Sequence, residues 1–285
     1  MKILVLGSGV MAAGIAGQLA KHHDITMLSR HLDPAVEDFR VAATLEDATS
    51  ECYAAVLSCV ADDQRSRALW LDERMEALIR RDRPVVAELS TLSLSWIEEW
   101  HQRMDALEVV AVESPVTGSR SGAEAGTLSS FRFSKARSHI VDEIFAVFTD
   151  HIYEFSAPGN PTRFKLIYNS WGAAILATLG PHAELLSTHL HEDFDLASTI
   201  VQSDGWMAPV VNSKWARYRD RDFDNPDFRL SHMVKDLNYL RPILRETDVH
   251  AHQVRMEYEA SLTPETSNLD FAVVSRYRPN AETAP

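Results

Sequence analysis

KILVLGSGVMAAGIAGQLA, residues 2–20, joins a short apolar run to a glycine turn and a segment of small residues. The apolar run predicts a buried strand at Lys2–Leu6. After the turn, apolar side chains recur at Val10, Ile15 and Leu19 among alanines and glycines, which predicts a helix. A strand, a tight turn and a helix in this order form half of a βαβ unit.

The turn has the sequence G-S-G-V-M-A at residues 7–12, which matches the G-x-G-x-x-G/A fingerprint of dinucleotide-binding sites. Gly7 permits the tight turn, Gly9 lets the backbone approach a pyrophosphate, and small Ala12 lets the helix lie close to the sheet. The phosphates would lie at the helix N-terminus. The first candidate cofactor-binding residues are therefore Gly7, Gly9, Val10, Met11 and Ala12. A tight turn without a ligand is the alternative, and such a turn rarely needs both glycines.

Further apolar runs follow at Ile25–Leu28, Ala54–Val60, Pro84–Leu89 and Val109–Val112. Helix-like or turn-like segments separate them, including Gln64–Arg80 and Leu92–Met104. Continuous rather than alternating hydrophobicity is typical of strands covered on both faces, so we predict a mostly parallel, doubly wound sheet with helices on either side. Later strands are predicted at Ala123–Phe133 and Ile152–Phe155, with a helix at Ala136–Phe148 between them.

Two prolines and a glycine within Ala157–Pro161 interrupt this pattern, and strand-like runs largely disappear after them. We therefore predict an α/β domain at residues 1–161 and an all-α domain at residues 162–285. The predicted helices of the second domain are Thr162–His191, Ala197–Arg219, Phe228–Glu246 and His250–Leu262. Gly180-Pro181 should kink or split the first of these helices. The last dozen residues are predicted to form a loose tail.

Composition limits the function that this chain can have. It has 285 residues, 45% of them hydrophobic, which is enough for a sizeable core and excludes a disordered chain. With 28 basic and 41 acidic residues the net charge is −13, so we expect no nucleic acid partner. No apolar run approaches the roughly 20 residues that cross a bilayer, and none resembles a signal-peptide core. We therefore expect a cytoplasmic protein without a membrane partner.

The cysteines and histidines give no indication of a metal site. Cys52 and Cys59 lack C-x-x-C spacing, so neither a disulfide framework nor a cysteine zinc site is expected. His182, His189 and His191 form no H-E-x-x-H motif. We therefore predict no bound metal.

The residues after the second apolar run bear on the choice of cofactor. An acidic side chain at this point binds the ribose 2′-hydroxyl of NAD, whereas an arginine can bind the 2′-phosphate of NADP. This chain has Ser29-Arg30-His31, and Asp33 lies past the strand end. Because Arg30 and the Ser29 hydroxyl fit a phosphate, we predict a preference for NADP(H), with NAD(H) as a second cofactor. A solvated surface arginine is the alternative.

Three further motifs form a pattern. V-E-S-P-V-T-G-S at residues 112–119, G-A at 122–123 and G-T-L at 126–128 resemble the D-A-P-V-S-G-G, G-A and G-T-L signature of the β-hydroxyacid dehydrogenases, the family of 3-hydroxyisobutyrate dehydrogenase. Lys165 and Asn169 resemble the K-x-x-x-N helix of that family. Phe228 with Lys235-Asp236-Leu237 resembles its F-x-x-x-x-x-x-K-D-L segment. The resemblance extends from residue 1 to about residue 262.

This resemblance implies an α/β Rossmann domain followed by an all-α domain. It also implies NAD(P)-dependent interconversion of a small hydroxy acid and its oxo or semialdehyde form. The implied partners are a small-molecule substrate, a carboxylic acid, and further copies of the chain in a homodimer or homotetramer.

The resemblance also assigns candidate site residues. The catalytic candidates are Lys165 and Asn169. The substrate-binding candidates add a turn that would hold a carboxylate, together with a lysine: Thr117, Gly118, Ser119 and Lys235. The cofactor-binding candidates add the last two residues of the third apolar run, a residue after the fourth run and the same lysine: Cys59, Val60, Thr91 and Lys235. The chain departs from the signature where Ser119 replaces a second glycine and where Phe131–Ser134 replace M-V-G-G.

The catalytic pair is also reasonable on chemical grounds. Lys165 and Asn169 are four positions apart, so on a helix they share one face. A lysine amine can protonate a carbonyl oxygen as hydride arrives, or deprotonate an alcohol in reverse, if its surroundings lower its pKa. The alternative for Lys165 is an ordinary surface lysine on an amphipathic helix, without a catalytic role. Two functional alternatives remain: an imine reductase, in which a different residue generally occupies the lysine position, and a non-catalytic NADPH-binding sensor.

Overall fold

The computed structural model describes residues 1–31 and 38–276. The chain divides into a first compact unit, Met1–Leu166, and a second unit that begins at Ile167. The boundary predicted after residue 161 lies on the same helix as this division.

In the part that the structure describes, the first unit is built on a nine-stranded sheet. Its strands are β1 (Lys2–Leu6), β2 (Asp24–Leu28), β3 (Arg40–Ala42), β4 (Ala55–Ser58), β5 (Val85–Glu88), β6 (Ala111–Glu113), β7 (Val116–Thr117), β8 (Leu128–Ser134) and β9 (Thr149–Glu154). The order is β3-β2-β1-β4-β5-β6-β8-β7, and β9 pairs with β8. The first six strands of this order are parallel. This is the Rossmann order, with antiparallel pairing where β8 meets β6 and β7.

Seven helices lie in the described residues of this unit. They are α1 (Val10–Ala20), α2 (Leu45–Thr49), α3 (Asp63–Trp70), α4 (Glu73–Asp82), α5 (Leu94–Ala106), α6 (Arg120–Ala125) and α7 (His139–Phe148). Alternate residues of β1 enter different cores. Ile3 and Val5 belong to the core that includes α1 and α7, while Leu4 and Leu6 belong to the core around Trp70 and Trp96. Because both faces of the strand are buried, its sequence is continuously apolar.

The described part of the second unit is helical apart from one isolated bridge between Arg229 and Asp270. The helix α8 (Asn160–Leu190) starts in the first unit and continues into the second. It is followed by α9 (Phe194–Ser203), α10 (Ala208–Asn212), α11 (Trp215–Asp220), α12 (Leu230–Leu240) and α13 (Val249–Ala260). The core of the second unit includes Leu237 of α12 and Tyr258 of α13. The predicted fold class, a Rossmann domain followed by an all-α domain, is confirmed. Within the described residues, no helix combines the length and the apolarity needed to cross a membrane.

Several predicted elements are wrong in detail. Residues 64–80 form two helices, because the Asp72 carboxylate accepts a hydrogen bond from Arg74 N at 2.9 Å and starts a new helix. Residues 123–125 belong to α6 instead of β8, and α6 ends at Gly126 with φ +76°. The sequence does not predict β3 and β7, which have three and two residues and are too short to show a pattern.

The helical predictions also need correction. Residues 197–219 form three helices, because α9 ends just before Gly205, which has φ +74°. Pro181 lies inside α8, and this helix is continuous, so the predicted split does not occur. The predicted tail lies outside the described residues from position 277 onward, while Phe271–Arg276 form a helical turn with Val273 and Val274 buried.

Candidate active site

The turn between β1 and α1 fits a pyrophosphate. Gly7 has φ +116°, and a Cβ atom there would lie 2.2 Å from the Cys59 carbonyl oxygen, so only glycine can occupy the position. Gly9 precedes α1, and a Cβ atom there would meet nothing within 4 Å. The open space thus lies in front of the N-terminus of α1, where backbone N–H groups favour an anion. Ala12 is fully buried, as a residue packed closely against the sheet should be.

A second close contact in α1 is not predicted by the fingerprint. A Cβ atom on Gly14 would lie 2.8 Å from the Cβ of Ala123, so Gly14 lets α1 pack tightly against α6. The signal for it is only a further small residue after Ala12, which the sequence offers at many positions of this helix.

The candidate cofactor residues after β1, β2, β4 and β5 share one edge of the sheet. Leu6 pairs with both Leu28 and Ser58, and Ser58 pairs with Glu88. The residues that follow these positions therefore emerge together at the carboxyl ends of parallel strands, where ligands of such sheets bind. They include Gly7, Ser29, Cys59, Val60 and Thr91.

Ser29 and Arg30 differ in exposure. Ser29 is buried, and its Oγ accepts a hydrogen bond from the backbone N–H of His31 at 3.1 Å. Arg30 is exposed. The serine therefore orders the turn after β2, while the guanidinium of Arg30 is the group that a phosphate in solution can reach. Asp33, which the sequence places past the strand end, lies outside the described residues.

A buried carboxylate that the motifs do not indicate orders the loops after β4 and β5. Glu88 is fully buried and accepts hydrogen bonds from Ser66 Oγ at 2.7 Å, Trp70 Nε1 at 2.8 Å and Ser90 N at 3.1 Å. Ser90 Oγ in turn accepts from Val60 N at 2.8 Å. Burial raises the pKa of Glu88. Burial, with a smaller contribution from Glu88, raises the pKa of the Cys59 thiol to about 12, so this thiol is not a nucleophile at neutral pH.

The turn at residues 117–119 depends on one glycine. Gly118 has φ +144°, and a Cβ atom there would lie 2.6 Å from Leu128 Cδ2. Ser119, where the family signature has a second glycine, has the ordinary extended values φ −90° and ψ 176°. Its Oγ accepts a hydrogen bond from Gly122 N at 3.1 Å. The extra Cβ of Ser119 is therefore accommodated without backbone strain.

The catalytic candidates are buried, which argues against the surface-lysine alternative. Lys165 is 7% exposed and Asn169 is 9% exposed, and both lie on α8. In the second unit, Asn169 Nδ2 donates to Asp236 Oδ2 at 2.7 Å, and Asp236 Oδ1 is 2.9 Å from Lys235 Nζ. Because a carboxylate can only accept hydrogen bonds, Asp236 turns the amide nitrogen of Asn169 toward itself and leaves the amide oxygen as an acceptor.

One of the three histidines considered as metal ligands has a local contact. His182 Nδ1 lies 2.7 Å from the Thr178 carbonyl oxygen of the same helix. Across residues 1–31 and 38–276, no group of three or more His, Cys, Asp or Glu side chains could hold a metal ion.

Comparison with known proteins identifies the family. Residues 2–153 match the NAD binding domain of 6-phosphogluconate dehydrogenase. The chain belongs to this family. An uncharacterized oxidoreductase of Shewanella frigidimarina (strain NCIMB 400) is 29% identical over 134 residues, which cover 45% of this chain and 46% of the relative. The chain therefore matches about half the length of this curated relative.

Solved structures of the same fold extend over nearly the whole chain. Psf3, solved with NADP+ and 2-OPP, has a TM-score of 0.81 at 18% identity and covers 96% of this chain and 99% of its own. The 3-hydroxyisobutyrate dehydrogenase of Mycobacterium tuberculosis, solved with L-serine, has a TM-score of 0.77 at 18% identity and covers 96% of this chain. The match includes 98% of the Mycobacterium tuberculosis chain. The predicted resemblance to the β-hydroxyacid dehydrogenases is confirmed for the fold. The prediction of an NAD(P)-dependent oxidoreductase agrees with the family of the matched NAD binding domain.

Proposed function

We propose that this chain is an NADP-preferring oxidoreductase that interconverts a small hydroxy acid and its oxo or semialdehyde form. Lys165 is the general acid and base of the proposed reaction. The observation that supports it most directly is the burial of Lys165 and Asn169 on α8, in a chain whose first unit has the pyrophosphate turn of an NAD-binding family.

The cofactor residues have distinct proposed tasks. Gly7, Gly9 and the first N–H groups of α1, at Val10 and Met11, hold the pyrophosphate. Arg30 binds the 2′-phosphate by charge-assisted hydrogen bonds. When bound, the nicotinamide supplies the hydride for reduction or accepts it in oxidation.

The proton is handled by the side chains of α8. In reduction, the Lys165 ammonium donates a proton to the carbonyl oxygen as this oxygen gains negative charge. In oxidation, the neutral amine takes the hydroxyl proton from the alcohol. The Asn169 amide oxygen is available to accept a hydrogen bond from substrate or lysine, because Asp236 holds the amide nitrogen.

A small acid is the proposed substrate class. Thr117, Gly118 and Ser119 would present a hydroxyl and backbone N–H groups to a carboxylate, and Lys235 adds a cation. The Mycobacterium tuberculosis dehydrogenase of similar fold was solved with L-serine, which is a small acid with a β-hydroxyl group. The homodimeric or homotetrameric assembly remains a prediction of the resemblance.

The test is a panel of small hydroxy acids, semialdehydes and cyclic imines, assayed by NADPH absorbance with the parent and with Lys165→Met. This change keeps an unbranched apolar stem and removes the proton, so turnover should fall by roughly a hundred- to ten-thousand-fold while NADPH still binds. Lys135→Met is the matched control, because Lys135 is an exposed lysine of the same unit paired with Asp105. It should leave turnover unchanged.

Each alternative has its own outcome in this panel. Turnover of imines but not of carbonyl compounds would favour an imine reductase. No turnover on any compound, with tight NADPH binding, would favour a non-catalytic sensor. Full activity of Lys165→Met would show that the proton comes from another group.

A further inference from the structure

A buried carboxylate outside the candidate residues contacts the start of the helix that carries Lys165. Glu113 is the last residue of β6 and is fully buried. Its Oε2 accepts a hydrogen bond from Gly159 N at 2.7 Å, and its Oε1 accepts one from Thr162 N at 2.9 Å. All three residues belong to the first unit.

These two bonds complete the hydrogen bonding of the first turn of α8. The N–H groups at the start of a helix have no partner within the helix and need other acceptors. Asn160 N donates to the Ala157 carbonyl oxygen at 3.3 Å, Pro161 has no N–H, and Arg163 N begins the helical pattern by donating to the Gly159 oxygen at 2.9 Å. Gly159 and Thr162 are therefore the donors that Glu113 must satisfy.

The capping side chain comes from a distant strand instead of from the residue before the helix. Most helices are capped by a local Ser, Thr, Asp or Asn, but here Gly159 stands before α8 with φ +78° and has no side chain to offer. A carboxylate at this position also interacts favourably with the positive end of the helix dipole. The start of α8 is thus tied to the end of β6.

His101 fixes the carboxylate in turn. Its Nε2 lies 2.8 Å from Glu113 Oε2, so this nitrogen carries the hydrogen and donates it when Glu113 is ionised. The imidazole is buried, with its ring centre 5.1 Å from that of Trp100 and 5.7 Å from that of Phe133. This packing leaves the Glu113 carboxylate little freedom to move away from α8.

We infer that Glu113, oriented by His101, is a positioning residue for proton transfer by Lys165. The inference rests on the proposed function of Lys165. Lys165 follows Thr162 by three positions, which is about 4.5 Å along the helix axis. A shift of the first turn therefore moves the amine directly, and a misplacement of about 1 Å at a reacting group can cost about a hundred-fold in rate.

The central variant is Glu113→Gln. The glutamine amide oxygen can accept a hydrogen bond from one of the two backbone N–H groups. The amide NH2 group then faces the other N–H, and because both are donors no hydrogen bond forms there. We expect kcat to fall by roughly ten- to a hundred-fold, as a displaced catalytic group predicts, while the Kd for NADPH stays unchanged. Amide hydrogen exchange should become faster at Gly159 or Thr162, whichever N–H group faces the amide nitrogen and loses its acceptor.

A matched control separates this role from a general loss of a helix cap. Asp72 caps α4 of the same unit through Arg74 N, so Asp72→Ala removes a cap that does not lead to Lys165. It should leave kcat unchanged. His101→Phe is a milder second variant, which keeps an aromatic ring against Trp100 and Phe133 and removes one donor to Glu113. It should lower kcat by less than Glu113→Gln.

The deciding measurement is a double-mutant cycle, in which kcat is compared for the parent, the two single variants and the variant that combines Glu113→Gln with Lys165→Met. If Glu113 acts through Lys165, Glu113→Gln should slow the parent but cause no further loss in the Lys165→Met background. Equal losses in both backgrounds, or an unchanged kcat with slow exchange at Gly159 and Thr162, would overturn the inference. If Glu113→Gln does not fold, the same cycle with His101→Phe decides.

Failure of the proposed function has a different signature. In that case the parent turns over no compound of the panel, or Lys165→Met alone keeps full activity, whatever the Glu113 variants do. If Lys165→Met loses activity and Glu113→Gln does not, the proposed function stands and the positioning role is wrong.

Discussion

NADPH should bind this protein about ten- to a hundred-fold more tightly than NADH, and Arg30→Ala should remove the difference. Arg30 is exposed and follows β2, whose Leu28 is paired with Leu6 immediately before the pyrophosphate turn. Hydrogen bonds to charged groups contribute about 1.5–3 kcal/mol. A loss of this size is about ten- to a hundred-fold in affinity.

Calorimetric titration with both cofactors at two salt concentrations measures this effect. Arg30→Ala should weaken NADPH and leave NADH unchanged, and the difference should shrink at high salt because exposed charges are screened. Arg80→Ala is the matched control, since Arg80 is an exposed arginine of the same unit that pairs with Glu76 on α4. It should change neither affinity.

Ser29→Ala provides a contrasting variant. The Ser29 hydroxyl holds the backbone of His31, so its loss should loosen the turn and weaken both cofactors by similar factors. Equal affinities of the parent for NADPH and NADH, or an equal loss of both in Arg30→Ala, would refute the assignment of Arg30 to the 2′-phosphate.

Four further predictions concern residues of the site and its surroundings. Asp236→Asn should lower kcat by about ten-fold or more, because Asn169 loses a charge-assisted partner; unchanged kcat would contradict it. In the native protein at pH 8, iodoacetamide should label Cys52 and not Cys59, whose pKa of about 12 leaves about one thiolate in ten thousand. Mass spectrometry of both labelled peptides checks this. Since folding raises that pKa from 9.0, the stability contributed by Cys59 should fall as pH rises from about 9 toward about 12. Gly118→Ala should cost about 1–3 kcal/mol of unfolding free energy because of its positive φ, and an unaltered melting temperature would show that the turn relaxes.

The sequence predicts the first unit well where hydrophobicity is continuous and less well where turns decide the structure. The strand Lys2–Leu6 has the predicted bounds, because its side chains enter both cores and the whole run is apolar. By contrast, the segment Gln64–Arg80, predicted only as helix-like or turn-like, is divided at Asp72, whose carboxylate starts α4. Such a cap competes with helical continuation, and apolar periodicity does not reveal which one prevails.

The candidate site shows the same limit. Residues that follow a strand, such as Gly7 and Arg30, can be placed from the sequence because parallel strands bring their ends to one edge. Glu113 and Glu88 could not be assigned, because their partners lie on helices and loops that only the folded chain brings near them. Glu88 on β5 and Glu113 on β6 are paired with each other in the parallel sheet. The sequence signal for Glu88 is an acidic residue at the end of an otherwise apolar run, and Glu113 also stands where the D-A-P-V-S-G-G signature has its Asp.

The buried carboxylates explain why the candidate catalytic groups can be held in fixed positions. A buried charge is costly unless it is paired and hydrogen-bonded, and an apolar residue of similar volume often serves stability equally well or better. Glu113 and Asp236 nevertheless are almost fully buried. Each binds an N–H group that a hydrocarbon side chain could not orient: the first turn of α8 in one case and the Asn169 amide in the other. Their contribution is therefore to the geometry of the helix that carries Lys165 and Asn169, which is why rate, more than stability, is the quantity that variants of these two carboxylates should change.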